Sequence, residues 1–209
     1  MQTFLPQTRS KPAADAIRER VSIRRYTAQP VTDRELREVL ELAGHAPSAF
    51  NLQPWRFVAV RSREDKDLLQ KAAFDQPQVG SAPVVLALVS DMEDTMARLE
   101  ETVHPGVPEE KRRASVEYLK STYGNMSVED RASWGLGQTY IALGYLLIAL
   151  ESLGFGSSPM LGFDDAQVKK LLGLPEHARI AALVAFGRPA EEGYPKHRFE
   201  VDSISRIVE

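Results

Sequence analysis

No cysteine occurs among the 209 residues. That excludes disulfides, thiol nucleophiles and Cys-ligated zinc or iron–sulfur centres, and it leaves the redox compartment unread. The histidines, His45, His104, His177 and His197, include no pair four residues apart and no HExxH, so the pattern of a zinc hydrolase is missing. A GxSxG elbow and a Walker A loop are also missing, and Gly154 and Gly156 lack the third glycine of a dinucleotide fingerprint. Charge of one sign is scarce too: 26 basic against 29 acidic residues leave a net charge of -3. Without a global positive field, a nucleic-acid partner is disfavoured. The N-terminus has no continuous apolar stretch of the secretory kind. The longest charge-free run, Ala132 to Leu150, carries Ser133, Gln138, Thr139 and three glycines, which suits a buried core helix better than a membrane span. A soluble, cytoplasmic protein is expected.

What is present suffices for one sizeable core: 43% of residues are hydrophobic and 26% charged. Residues 1–12 read as an N-terminal arm and 13–209 as one domain. Helices are expected over 15–24, from Thr32 to just before Pro47, over 64–73, over 134–153, and from Asp164 or Asp165 to Leu172. Thr32 and Glu35 have the spacing of a capping box, with Leu36, Val39, Leu40 and Ala43 as the apolar face behind it. Strands are expected over 56–61, 82–89 and 180–186, with a final extended piece at 201–208. The segment 91–131, charged and interrupted by His104, Pro105, Gly106 and Pro108, reads as a helical lid rather than a second core. Strands and helices mix without strict alternation, which favours α+β.

No side chain presents itself as a catalyst, which directs attention to an organic cofactor. Three groups of residues stand out. Arg20, Ser22 and Arg24 gather cations that repel one another on a helix face unless an anion joins them; a solvated basic face is the plainer account. Ala46 to Trp55 is a proline-bracketed loop holding Phe50 and Trp55, which are costly to expose. Lys196 and Arg198 lie two apart in an extended stretch and so point to one side.

These groups, with Ala82-Pro83-Val84-Val85, Gln138 and Gly144, Pro159-Met160-Leu161-Gly162-Phe163, and Gly187 with Pro189, resemble the FMN-dependent nitroreductase family from about Ile17 to Ile207. The resemblance implies an α/β/α sandwich with a mainly antiparallel sheet, assembled as an intertwined homodimer with two FMN sites at the interface. Arg20, Ser22, Arg24, Lys196 and Arg198 would then hold the FMN phosphate and ribityl chain, with Gln138 at its polar edge. Backbone N–H groups at Leu161 and Gly162, beside Pro159 and Met160, would face the isoalloxazine. Pro47, Ser48 and Asn51 would reach the FMN of the other subunit, and Gln78 would hydrogen-bond the flavin's pyrimidine edge. NADH or NADPH would reduce the flavin, which then reduces nitroaromatics, quinones or similar flat acceptors in a ping-pong order, with Tyr118 and Tyr123 of the lid at the acceptor. The C-terminal 201–208 would add a strand to the other subunit. Two rivals stay open: a specialised flavoenzyme such as an ene reductase or dehalogenase, and a flavin-binding protein without turnover.

Overall fold

The computed structural model describes residues 10–209; most of the expected N-terminal arm lies outside the described residues. Four strands form one antiparallel sheet: β1 (Trp55–Val60), β2 (Val84–Ser90), β3 (Gly156–Met160) and β4 (Arg179–Gly187), in the order β1-β2-β4-β3. Every residue of β2 is buried. Because successive strand residues face opposite sides, β2 feeds two cores at once. Val85, Ala87 and Val89 meet Leu69, Val79 and Val168, under α3 (Arg63–Ala72), α4 (Pro77–Ser81) and α9 (Asp165–Leu172). Val84 and Leu86 meet Val39, Ala43, Leu146 and Leu150, under α2 (Asp33–Gly44) and α8 (Val128–Ser152). The result is the expected α/β/α layering.

Local chemistry sets the helix ends. Thr32 and Glu35 form the capping box, each side chain taking the other's backbone N–H. Asp164 caps α9 through the Gln167 N–H, and Gly173 ends it in the left-handed conformation at φ 63°. The first helix and the C-terminal segment differ from expectation. The first helix, α1 (Ala13–Glu19), ends before Arg20, because the chain turns extended there so that the Ile23 N–H can bond the Ser157 carbonyl at 2.9 Å. The C-terminal segment forms a single helical turn, α10 (Val201–Ile204), and no described strand. Strand β3 was not expected: Gly-Ser-Ser-Pro-Met has little strand propensity, and β4 alongside it supplies the order.

The 91–131 segment contains α5 (Met92–Ala97), α6 (Leu99–Thr102) and α7 (Glu109–Gly124). It also carries a small core of its own: Leu52, Met92, Leu99, Val116, Leu119 and Tyr123 pack together, with Trp134 against them. Helix α8 begins six residues earlier than expected, at Val128, and is buried along one stripe only, through Ala132, Gly135, Thr139, Ala142, Leu146 and Ala149. Tyr140, Ile141 and Tyr145 on its other side are exposed. By length and composition α8 could cross a membrane, but its buried stripe rests on the sheet as a core helix does.

A Cβ built on Gly156 would come within 2.8 Å of the Ile23 side chain, whereas one on Gly124 would meet nothing within 4 Å. Gly156→Ala is therefore expected to cost about 1–3 kcal/mol through overpacking. Gly124→Ala should stay within about 0.5 kcal/mol of the parent in the same urea titration.

Candidate functional site

The chain after α1 is extended, so Arg20, Ser22 and Arg24 alternate onto one side while Ile23 turns into the core. Arg20 and Arg24 therefore do not share a helical face. The C-terminal stretch returns to the same place. Lys196 Nζ donates to the Ile17 carbonyl at 2.6 Å and to that of Arg18, on the last turn of α1. Arg20 is half-buried, and its Nη1 is shut off from solvent without a hydrogen-bond partner. Burial, and then the charge of Arg198, hold the Arg20 pKa below its ordinary value. Burial, Arg20 and Arg198 likewise lower that of Lys196. Three cations thus crowd together around a donor with nothing to bond. Ser157, bridged to Ser22 from β3, leaves a second buried polar atom, Oγ, without a partner. Arg24 is exposed, and its backbone N–H bonds Glu191 at 2.7 Å.

Strand β3 leads from this cluster to a second corner. Five residues at about 3.3 Å each cover roughly 16 Å. At the far end Gln78, buried, donates to Gln76 Oε1 at 3.0 Å and to Met160 Sδ at 3.1 Å, and Gln76 donates to the Gly162 carbonyl at 2.7 Å. Leu161 projects outward with 68% of its surface exposed. Pro159 lies in the strand, paired with Val184. Gln76 was not expected here, and it is the residue that fixes the Gly162 corner; only the short spacing to Gln78 signalled it.

The third grouping lies on α8 and the 91–131 helices. Gln138 accepts the Ala49 N–H at 2.9 Å, Ser48 accepts the Gln53 N–H at 3.0 Å, and Asn51 donates to the Thr102 carbonyl at 2.9 Å. These bonds hold a loop in which Phe50, Asn51 and Gln53 have φ of 53°, 56° and 45°. Left-handed backbone at three non-glycine residues is strained, each costing on the order of 1–3 kcal/mol. Pro47 opens the loop, exposed. The strain places Phe50 in solvent, 54% exposed, while Trp55 enters the core. Phe50 lies 5.8 Å from Tyr118 and 6.4 Å from Tyr123, ring centre to ring centre. A cavity of about 450 Å³ opens between Phe50, Tyr118, Val103 and Leu119. Tyr118 borders this space. Tyr123 does not line it: only 5% exposed, it meets Phe50 edge to face and lies tilted against Trp134 at 4.7 Å between ring centres.

The family model for the nitroreductase family matches residues 17–188. The chain belongs to the nitroreductase family. A Thermus thermophilus protein named NADH dehydrogenase is 52% identical over 204 residues, covering 98% of both chains. The putative NAD(P)H nitroreductase YdgI of Bacillus subtilis is 29% identical over 199 residues, 91% of this chain and 95% of the relative. Among solved structures, a putative nitroreductase from Exiguobacterium sibiricum in complex with FMN superposes with a TM-score of 0.88 at 26% identity, covering 97% of this chain and all of that one. Among the described residues, no group of three or more His, Asp or Glu is placed to hold a metal.

The crowded cations generate a test in this family member. In flavin-free protein, Arg20→Met should raise stability, because it removes a half-buried guanidinium with an unpartnered buried nitrogen, and its repulsion from Lys196 and Arg198. Urea titrations at low and high salt check this, and the stabilising effect of salt should shrink in the variant.

Proposed function

We propose that two copies of this chain form an intertwined homodimer, a cytoplasmic FMN-dependent NAD(P)H oxidoreductase that reduces nitroaromatics, quinones or similar flat acceptors. The carrying observation is two of the orphaned buried polar atoms: Arg20 Nη1, beside the charges of Lys196 and Arg198, and Ser157 Oγ, on the strand bridged to Ser22. A phosphate fits that chemistry: it accepts from both and turns repulsion into charge-assisted hydrogen bonds.

Arg20, Ser22, Arg24, Lys196 and Arg198 would hold the FMN phosphate and ribityl chain, and β3 would run beneath the cofactor. The Leu161 and Gly162 corner, fixed by Gln76 and Gln78, would present backbone N–H groups to the ring. FMN, when bound, takes a hydride from NADH or NADPH and passes it on, so donor and acceptor use one cleft in turn. The exposed apolar face of α8, with Ile17 and Leu42 beside it, borders an apolar groove of about 710 Å³ that suits a second subunit. The same assembly would bring Pro47, Ser48, Asn51 and the free amide of Gln138 to the other subunit's cofactor. Phe50 and Tyr118 then form the outer wall of the cleft, where aromatic faces receive a flat acceptor and exclude water.

Two measurements test the reading. Arg198→Ala removes a charge-assisted contact of about 1.5–3 kcal/mol, so FMN titration should show roughly tenfold to hundredfold weaker binding. Unchanged affinity there and in Arg20→Ala would leave the cluster as solvated surface. Light scattering of the holoprotein should report about twice the 23.3 kDa chain mass across dilution.

Acceptor choice gives the third expectation. Tyr118→Ala should change kcat/KM unequally for a quinone and a nitroarene while FMN affinity holds. Tyr123→Ala, beneath Phe50, should instead lower the melting temperature and scale both acceptors together.

A further inference from the structure

Lys66 lies on α3, on the sheet face away from α8, and only 8% of it is exposed. Its ammonium donates to the Ala82 carbonyl at 2.6 Å, and among the described residues no carboxylate lies within ion-pair distance of it. A buried lysine without a counter-ion is costly, and proteins normally pair or neutralise it. The groups around it do not compensate. Arg61 is held by Asp33 and the Val31 carbonyl, and Arg63 by Asp67 and the Gly80 carbonyl, so both carboxylates are already engaged. Burial and the Arg63 charge lower the Lys66 pKa, with Asp67 opposing them.

These three cations, with the Thr27 and Ser81 side chains, line a cavity of about 320 Å³ where the turn into β2 meets the start of α3. We propose that this cavity is a second anion site, separate from the Arg20 cluster, that takes a phosphate group, free or as a small phosphomonoester. Lys66 supplies the two donors left over from its bond to Ala82 and is the uncompensated charge of the site; Arg61 and Arg63 border it with their charge shared with Asp33 and Asp67. Such a ligand would tie α3 to the segment that enters the central strand.

The test uses the full chain loaded with FMN, in buffer free of phosphate and sulfate, so that the cofactor's own phosphate occupies the first cluster. Inorganic phosphate and glycerol phosphate are titrated calorimetrically at constant ionic strength. Wild type should bind with saturation at one site, and Lys66→Met should weaken this by about tenfold or more. Because Lys66→Met also removes the contact to Ala82, Ser81→Glu serves as the second variant. It places a carboxylate at the exposed rim, so it should abolish the binding and raise the melting temperature without added anion. Preference for inorganic phosphate assigns the site to the free ion, and preference for glycerol phosphate to a phosphomonoester. Absence of saturable binding, or binding unchanged in both variants, overturns the proposal. Should the protein take up no flavin, the same titration in Arg20→Met isolates the Lys66 site, so the two readings fail separately.

Discussion

The constraint on which the rest depends is the complete burial of β2. A strand covered on both faces must be apolar throughout, and Val84 to Val89 is. Its alternating side chains need two helical layers, so α8 and α2 are required on one side and α3 and α9 on the other. With β2 central, β4 pairs beside it and β3 becomes an edge strand. That edge is where Ser22 and Ile23 cross Ser157, and so where the cationic cluster assembles. The candidate site follows from a packing requirement two strands away.

Electrostatic frustration is concentrated at two places on this frame. Around Arg20, burial and then neighbouring positive charge lower the pKa values of Arg20 and Lys196, and a guanidinium nitrogen is left unbonded. Around Lys66 the carboxylates serve the neighbouring arginines and not the buried lysine. Elsewhere on the surface, charges pair locally, as in Arg98 with Glu101 and Arg112 with Glu109. Such exposed pairs contribute little to stability. Clusters that remain unpaired inside a folded chain are therefore the informative ones.

Much of this was legible in the sequence. The strands around Val58, Leu86 and Val184, the Thr32 box and the Asp164 cap rest on local patterns, and local patterns survive folding. Strand β3 was not legible, since Gly156, Ser157 and Ser158 owe their conformation to pairing with β4. The end of α1 was misplaced for the same reason: a bond to Ser157, over a hundred residues away, outweighs continued helix. In the candidate site, Arg20, Lys196 and Arg198 could be named from residue type and family likeness. The buried state of Tyr123 and the outward turn of Phe50 could not, because they follow from three left-handed residues that no composition reveals. Gln76 was visible only as a neighbour of Gln78.

The self-repelling cluster also bears on how long the protein survives. A chain whose crowded cations await an anion is less stable empty than filled, and a ligand that binds only the folded form withdraws molecules from the unfolded pool by mass action. Proteases act on that pool. On the flavin reading, newly made chains without cofactor are the short-lived population, and cellular abundance of the enzyme becomes a readout of flavin supply with no dedicated sensor.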